Sequence, residues 1–427
     1  MKTLNLGILG MGTVASGLIN IIEMNNTKLT GILGKEIKIN KILVKNIEKK
    51  RNVNIQKDIY TVDPYEVIND EDAQILVELI GGINPAYEYI KAALNNKKHV
   101  VTANKALIAT HGEELEALAK KNGVRLMYEA SVGGGIPIIN TMTESLIANK
   151  FDEIVGIING TTNYILTQMT EKGLEFDQAV KEAQDLGFAE ADPSSDVDGD
   201  DAAFKLAILS TIAFGQRIYM KDISKEGISK ISKEDINYAK ELGYNIKLLA
   251  TALKNKDEIE LKVHPAFIHA GHPLSTVKNE FNAVLLKGNA VGEIMLYGRG
   301  AGSLPTGSAV LGDIITIAKN IDTIAADFES VNKKKYKIVN KALNRYYVRL
   351  EVVDKPGVLG SIANIFGKNN ISLASVVQRQ KNGNHTAPLV FITHEVERNN
   401  IDAALKEIAD YEGVTEIASI IMVGNFK

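Results

Sequence analysis

The feature that most restricts this chain lies ten residues from its start. In "LNLGILGMGTVASGLINIIEM" an apolar run meets Gly10, Gly12 and Ala15, the pattern G-x-G-x-x-A, with Val14, Leu18, Ile21 and Ile22 following at helical spacing. A strand that turns on glycine directly into a helix opens a parallel, doubly wound sheet. Gly10 permits the tight turn, Gly12 lets a pyrophosphate approach the backbone, and Ala15 lets the helix lie near the sheet. Thr13 and Val14 form the helix end that faces the anion. The glycine pattern alone also occurs in structural turns; the strand–turn–helix context makes it a cofactor site.

Strand-like runs recur at 37–44, 73–79, 98–103 and 124–130, with amphipathic segments at 86–95 and 113–121 between the later ones. This alternation implies an α/β, Rossmann-type domain over residues 1–135. After "SVGGGIP" the rhythm changes, and residues 136–330 mix longer helices with strands at 151–159 and 258–268, an α+β pattern. The lysine-rich stretch 331–344 is either a linker or a short surface helix. Residues 345–427 read as a self-contained βαββαβ, ferredoxin-like unit, with "KNGN" as a hairpin turn. The length, 427 residues, suits about three domains.

Net charge is −3 and dispersed, which argues against nucleic acid or an anionic membrane as partner. The absence of cysteine excludes disulfides and thiol chemistry. No apolar stretch reaches transmembrane length and the start is strand-like, so a cytoplasmic protein is expected.

The second predicted strand ends in "LVKNIEKKR". An acid there would bind a free ribose 2′-hydroxyl; Lys45, with Lys50 or Arg51 beside it, instead suits a 2′-phosphate, favouring NADP over NAD unless this is an ordinary basic loop. Lys105, in "VVTANKAL", follows an apolar strand at the sheet end where ligands bind, or simply starts a helix at the surface.

The segment "FAEADPSSDVDGDDAAFKLAIL" crowds carboxylates ahead of one lysine. Asp201 and Lys205 stand i,i+4 on a helix expected over 198–213. Exposed, such a pair contributes little. Here Ala202, Ala203, Leu206, Ile208, Leu209 and Ile212 make most sides of the helix apolar, which encloses the lysine. Desolvation loosens an ammonium proton and a nearby carboxylate retains it. A lysine so held can give a proton to a carbonyl oxygen as hydride reaches the carbon. Glu190, Asp192, Asp196 and Asp198 can bind a substrate ammonium, a cation, or cap the helix.

"GILGMGTVASG", "VELIGG", "TANKAL", "YEASVGGGIPII", "GIINGTTNYIL", "AQDLGFAEADPSSDVDGDDAAFKLAIL" and "GRGAGSLPTGSAV" resemble homoserine dehydrogenases, in that order and across residues 1–320. The C-terminal unit with "DKPGVLGSIA" resembles an ACT domain. The resemblance implies reversible, NAD(P)H-dependent reduction of L-aspartate 4-semialdehyde to L-homoserine, a step toward threonine, methionine and isoleucine. It implies Lys205 as proton donor and acceptor, Lys105 between cofactor and reacting oxygen, and Asp201 as orienting both. Glu190 would take the α-amino group, and Gly302 would return to the cofactor. A monovalent cation, Na+, would sit on the Glu129 side chain and the carbonyls of Val132, Gly134 and Ile136; oxygen donors suit a hard cation. A homodimer or homotetramer with threonine as effector is implied, unless the ACT unit serves dimerisation only. A chain ending near Asn344 would then keep its chemistry. Rival readings are a dehydrogenase for another amino aldehyde, and a non-catalytic amino-acid sensor.

Overall fold

A computed structural model describes residues 3–51, 53–321, 335–339, 343–379 and 386–424. The "KNGN" turn and much of the lysine-rich stretch lie outside the described residues. The chain opens with β1 (Thr3–Leu9), α1 (Thr13–Leu33), β2 (Glu36–Leu43), β3 (Tyr60–Thr61), α2 (Pro64–Ile68), β4 (Ile75–Glu78), α3 (Ala86–Asn95), β5 (His99–Thr102), α4 (Lys105–Lys121) and β6 (Leu126–Met127). The six strands form one sheet in the order β3-β2-β1-β4-β5-β6, all parallel. Its order reverses between β1 and β4, where doubly wound sheets bind their ligands. Parallel strands covered on both faces read as unbroken apolar runs: Leu4, Leu6, Ile8 and Leu9 of β1 and every residue of β4 and β5 are buried.

The middle stretch contains α5 (Ile138–Asn140), β7 (Phe151–Ile157), α6 (Gly160–Lys172), α7 (Phe176–Asp185), α8 (Ser194–Val197) and α9 (Asp200–Phe214). After these come β8 (Ser224–Lys225), α10 (Lys233–Glu241), β9 (Tyr244–Asn255), β10 (Glu258–His269), β11 (Phe281–Gly288), β12 (Gly292–Arg299) and α11 (Ser303–Lys319). Part of the lysine-rich stretch is β13 (Lys337–Ile338), paired with β10, so its described portion is a strand and not a helix. The C-terminal elements are β14 (Arg345–Val353), α12 (Val358–Lys368), β15 (Leu373–Gln378), β16 (Thr386–Thr393), α13 (Arg398–Ala409) and β17 (Val414–Val423), the expected βαββαβ order.

In space the chain forms two compact bodies. One comprises Met1–Ile154, Ala203–Asp222 and Phe281–Tyr336; the other comprises Val155–Ala202, Ile223–Glu280 and Lys337–Lys427. Within the first, α1 and α11 cross closely because Gly17 and Gly307 face each other's helix. A Cβ on Gly17 would lie 1.9 Å from the Ser303 carbonyl oxygen, and one on Gly307 would lie 2.6 Å from Leu18 N.

In the second body the C-terminal unit is not self-contained. β17 pairs with β10, Ala266 opposite Met422 and Phe267 opposite Val423, so the ferredoxin-like sheet continues that of β9 and β10. The helix-free face of β14 then meets α10. Arg349 Nε donates to Asp235 Oδ1 at 2.8 Å, Tyr347 Oη donates to the same oxygen at 3.0 Å, and Ser232 Oγ donates to Asp235 Oδ2 at 2.9 Å. Asp235 is fully buried, and Tyr347 stacks on Phe267 with ring centroids 4.6 Å apart. A chain cut at Asn344 would leave that carboxylate and the end of β10 that pairs with β17 bare. Removing one partner of a buried ion pair costs about 3–5 kcal/mol. Arg349→Ala should therefore lower the melting temperature by on the order of 10 °C, while Asp235→Leu with Arg349→Met recovers most of it. An unchanged melting temperature for Arg349→Ala in calorimetry would show that this seam is not closed in solution.

Candidate active site

The glycine turn behaves as its residues require. Gly10 has φ +98°, and a Cβ there would lie 2.9 Å from the Leu79 carbonyl oxygen at the end of β4. Gly12 differs: its φ of −97° is open to any residue, and a Cβ would meet no atom within 4 Å. Among the described residues nothing fills the space beside it, so the backbone there stands open to approach. Ala15, in the first turn of α1, is fully buried. Ser303 Oγ donates to the Thr13 carbonyl at 2.8 Å, which brings the start of α11, with Gly302 as its N-cap at φ +115°, to the start of α1. Two helix N-termini thus meet beside the turn, each with unsatisfied N–H groups suited to an anion.

Lys45 is exposed just past β2, and Lys50 is exposed in the same loop. Arg51 instead holds the loop together, donating to the carbonyls of Lys49 (2.9 Å) and Asn46 (2.8 Å) with its guanidinium over the Tyr60 ring. That separates the two basic residues the sequence left equivalent.

Lys105 is the first residue of α4, half-buried. Its position is fixed by groups within "VELIGG" and "TANKAL" to which the sequence reading gave no role. Glu78, fully buried at the end of β4, accepts from the N–H groups of Ile80 (2.7 Å) and Gly81 (3.1 Å) and from Thr102 Oγ1 (2.6 Å). Thr102 Oγ1 accepts in turn from Asn104 N–H at 3.0 Å. Asn104 caps α4 by accepting from Leu107 N–H and donates its amide to the Gly82 carbonyl. An Asn N-cap directly before the lysine is a signal that sequence does carry.

Asp201 and Lys205 stand one turn apart on α9, 3 % and 9 % exposed, so the enclosure inferred from the apolar neighbours is real. Beyond that helix the chain is tied to α4: Arg217 donates to the Ile108 carbonyl and pairs with Glu116 at 3.4 Å, and Tyr219 Oη donates to Glu113 at 2.7 Å. Gly112 makes room for this crossing, since a Cβ would come within 2.2 Å of Arg217 Nη2. Burial and the neighbouring Glu116 carboxylate push the Tyr128 phenol well above its ordinary value, so it stays the donor to Glu116 at 2.7 Å. Glu190 is exposed, between α7 and α8. Asn159, absent from the sequence assignments, donates to both Asp196 and Asp201.

Glu129 is 4 % exposed, and burial pushes its carboxyl up. It accepts from the N–H groups of Ile139 (2.9 Å) and Asn140 (2.6 Å), with no side-chain cation against it among the described residues. Gly133 and Gly134, at φ +72° and +53°, turn the chain beside it. The Ile136 carbonyl already accepts from Ile138 N–H at 2.8 Å. A buried carboxylate held by backbone N–H groups, beside a glycine turn, offers the oxygen donors that a hard cation takes.

A glycine turn at the switch point of a parallel sheet, with lysines at a strand end and in a carboxylate-rich helix, defines a nicotinamide-nucleotide-dependent oxidoreductase acting on a CH–OH group. Comparison with known proteins makes the class specific. Family models for the homoserine dehydrogenase NAD binding domain, for homoserine dehydrogenase and for the ACT domain match residues 10–129, 137–315 and 346–413. Homoserine dehydrogenase of Bacillus subtilis is 42 % identical over 427 residues, covering 99 % of each chain. The crystal structure of a homoserine dehydrogenase from Thiobacillus denitrificans matches with TM-score 0.92 and 39 % identity over 99 % of both chains. A hyperthermophilic archaeal homoserine dehydrogenase solved in complex with NADPH matches with TM-score 0.63 and 30 % identity, covering 75 % of this chain and 98 % of that one. The chain belongs to the homoserine dehydrogenase family. No helix among the described residues is long and apolar enough to cross a membrane.

The two glycines give a clean test. Gly12→Ala adds a methyl that touches no protein atom, so its folding cost should stay below about 1 kcal/mol. The same methyl stands where a pyrophosphate must approach; losing one hydrogen bond to a charged group costs about 1.5–3 kcal/mol, so KM for the nucleotide should rise about ten-fold or more. Melting curves and nucleotide titration would show both. Unchanged nucleotide affinity would place the phosphates elsewhere.

Proposed function

We propose that this chain reduces L-aspartate 4-semialdehyde to L-homoserine, reversibly, with NADPH preferred over NADH. The observation that carries the reading is a buried lysine one helical turn from a buried aspartate, on a helix that follows a loop of carboxylates. The bound nicotinamide supplies the hydride. Lys205 gives a proton to the carbonyl oxygen, so that no alkoxide has to form, and takes it back in the reverse direction. Lys105 places a second positive charge at that oxygen, and Asp201 holds the ammonium group of Lys205 in orientation. Glu190 binds the α-ammonium of the substrate; its exposure leaves it open to a ligand. Thr13, Val14 and Gly302 flank the nucleotide phosphates, and Lys45 with Lys50 binds the 2′-phosphate. The NADPH found in the archaeal relative supports that preference. Glu129 with the carbonyls of Val132, Gly134 and Ile136 would hold Na+, which would fix the turn before α5 and neutralise the carboxylate.

The ACT unit supports feedback by an amino acid, with threonine as the effector. Asp354 to Gly357 form the turn before α12, where Gly357 has φ +94° and a Cβ would meet nothing within 4 Å. Such a turn accepts a small carboxylate on the N–H groups of the helix. A homodimer or homotetramer, assembled in the cytoplasm, is the expected working form.

Lys205→Ala should lower kcat by roughly 10²-fold or more, the scale of general acid catalysis, with nucleotide affinity nearly unchanged. Stopped-flow or steady-state rates near wild type would remove this lysine from the chemistry. Lys45→Ala loses a charge-assisted contact, so KM for NADPH should rise roughly ten-fold while that for NADH hardly moves. Equal losses for the two nucleotides would refute the phosphate assignment.

A further inference from the structure

The motif "GIINGTTNYIL" has no part in the reading above, yet its Asn159 lies between two of the carboxylates. It is the N-cap of α6 and 4 % exposed. Its Oδ1 accepts from Thr162 N–H at 2.8 Å and from Thr162 Oγ1 at 2.8 Å. Its Nδ2 donates to Asp196 Oδ1 at 2.6 Å and to Asp201 Oδ2 at 2.9 Å. A backbone N–H can only donate, so the amide oxygen must face Thr162 and the NH2 group must face the acids. Both lone pairs and both protons of the amide are then in use. The neighbouring Asp200 is engaged elsewhere, by Lys225 of β8.

Capping α6 requires the oxygen alone, and aspartate or serine would serve equally well. What asparagine adds is a neutral group with two protons, each spent on a carboxylate. Two acids gathered at one nitrogen repel, and without a donor between them one takes up a proton at higher pH. We propose that Asn159 is a positioning residue for the reduction: its amide keeps Asp196 and Asp201 ionised at a fixed spacing, and through Asp201 it sets the orientation of Lys205. The inference rests on the roles given above to Asp201 and Lys205.

Asn159→Asp keeps the cap and deletes both donors. It should lower kcat by about ten-fold or more, the scale of a lost hydrogen bond to a charged group. The acid limb of the kcat–pH profile should move to higher pH and the melting temperature should fall, because a third carboxylate, itself buried, now faces the two acids, while the KM for nucleotide stays near wild type. Asn159→Ser, which keeps the cap and one donor, should fall between the two in both kcat and profile. Asp201→Asn is measured alongside. Wild-type kcat in Asp201→Asn would sink the role of Asp201 itself. A crippled Asp201→Asn beside an Asn159→Asp enzyme with wild-type rate and profile would overturn this proposal alone. So would losses in both Asn159 variants that follow the melting temperature with an unshifted profile.

Discussion

An ammonium group leaves water only where charge and hydrogen bonds compensate it. The helix Asp200–Phe214 is built under that constraint. It carries Lys205 at 9 % exposure and Asp201 at 3 % within one turn, on a helix whose other residues are mostly alanine, leucine, isoleucine and phenylalanine. A lysine in such a place is costly for folding alone, which is why it reads as chemistry. The surroundings follow from it: Asn159 braces Asp201, and Arg217 ties the chain beyond the helix to α4, whose first residue is Lys105. The helices that carry both lysines are thus held by hydrogen bonds beyond the lysines themselves.

The second constraint is close approach. Gly10 is required by the protein itself, through φ +98° and the Leu79 carbonyl, whereas the space beside Gly12 is open among the described residues. Gly17 and Gly307 let the α1 and α11 helices touch, and that contact carries Gly302 to the turn. Backbone shape at the turn and the exposed lysines of the loop after β2 are the two features on which the proposed nucleotide recognition rests.

Much of this was legible because it is local. The strand–turn–helix at the start, the period of α3 over 86–95, each element of the C-terminal βαββαβ order and the burial of Lys205 are written in neighbouring residues, where periodicity and glycine act. What the sequence could not convey joins distant residues. Glu78 meets Thr102, Gly112 makes room for Arg217, and Asp235 meets Arg349, each pair more than twenty positions apart. The same limit applies to how the C-terminal unit packs. Its own sheet is complete in sequence, but the pairing of β17 with β10 and the burial of Asp235 exist only in the assembled body. Asn159 carries no distinguishing signal in sequence, because a helix cap and a clamp on two carboxylates use the same residue.

The central claim is that this chain moves hydride and proton onto the aldehyde of an amino acid. The most direct measurement is the purified protein's oxidation of NADPH with L-aspartate 4-semialdehyde, with homoserine quantified in the same samples. The account predicts one homoserine formed per NADPH consumed, and little consumption with an aldehyde of similar size that lacks the α-amino group. No semialdehyde-dependent oxidation, or equal rates with the amine-free aldehyde, would contradict it.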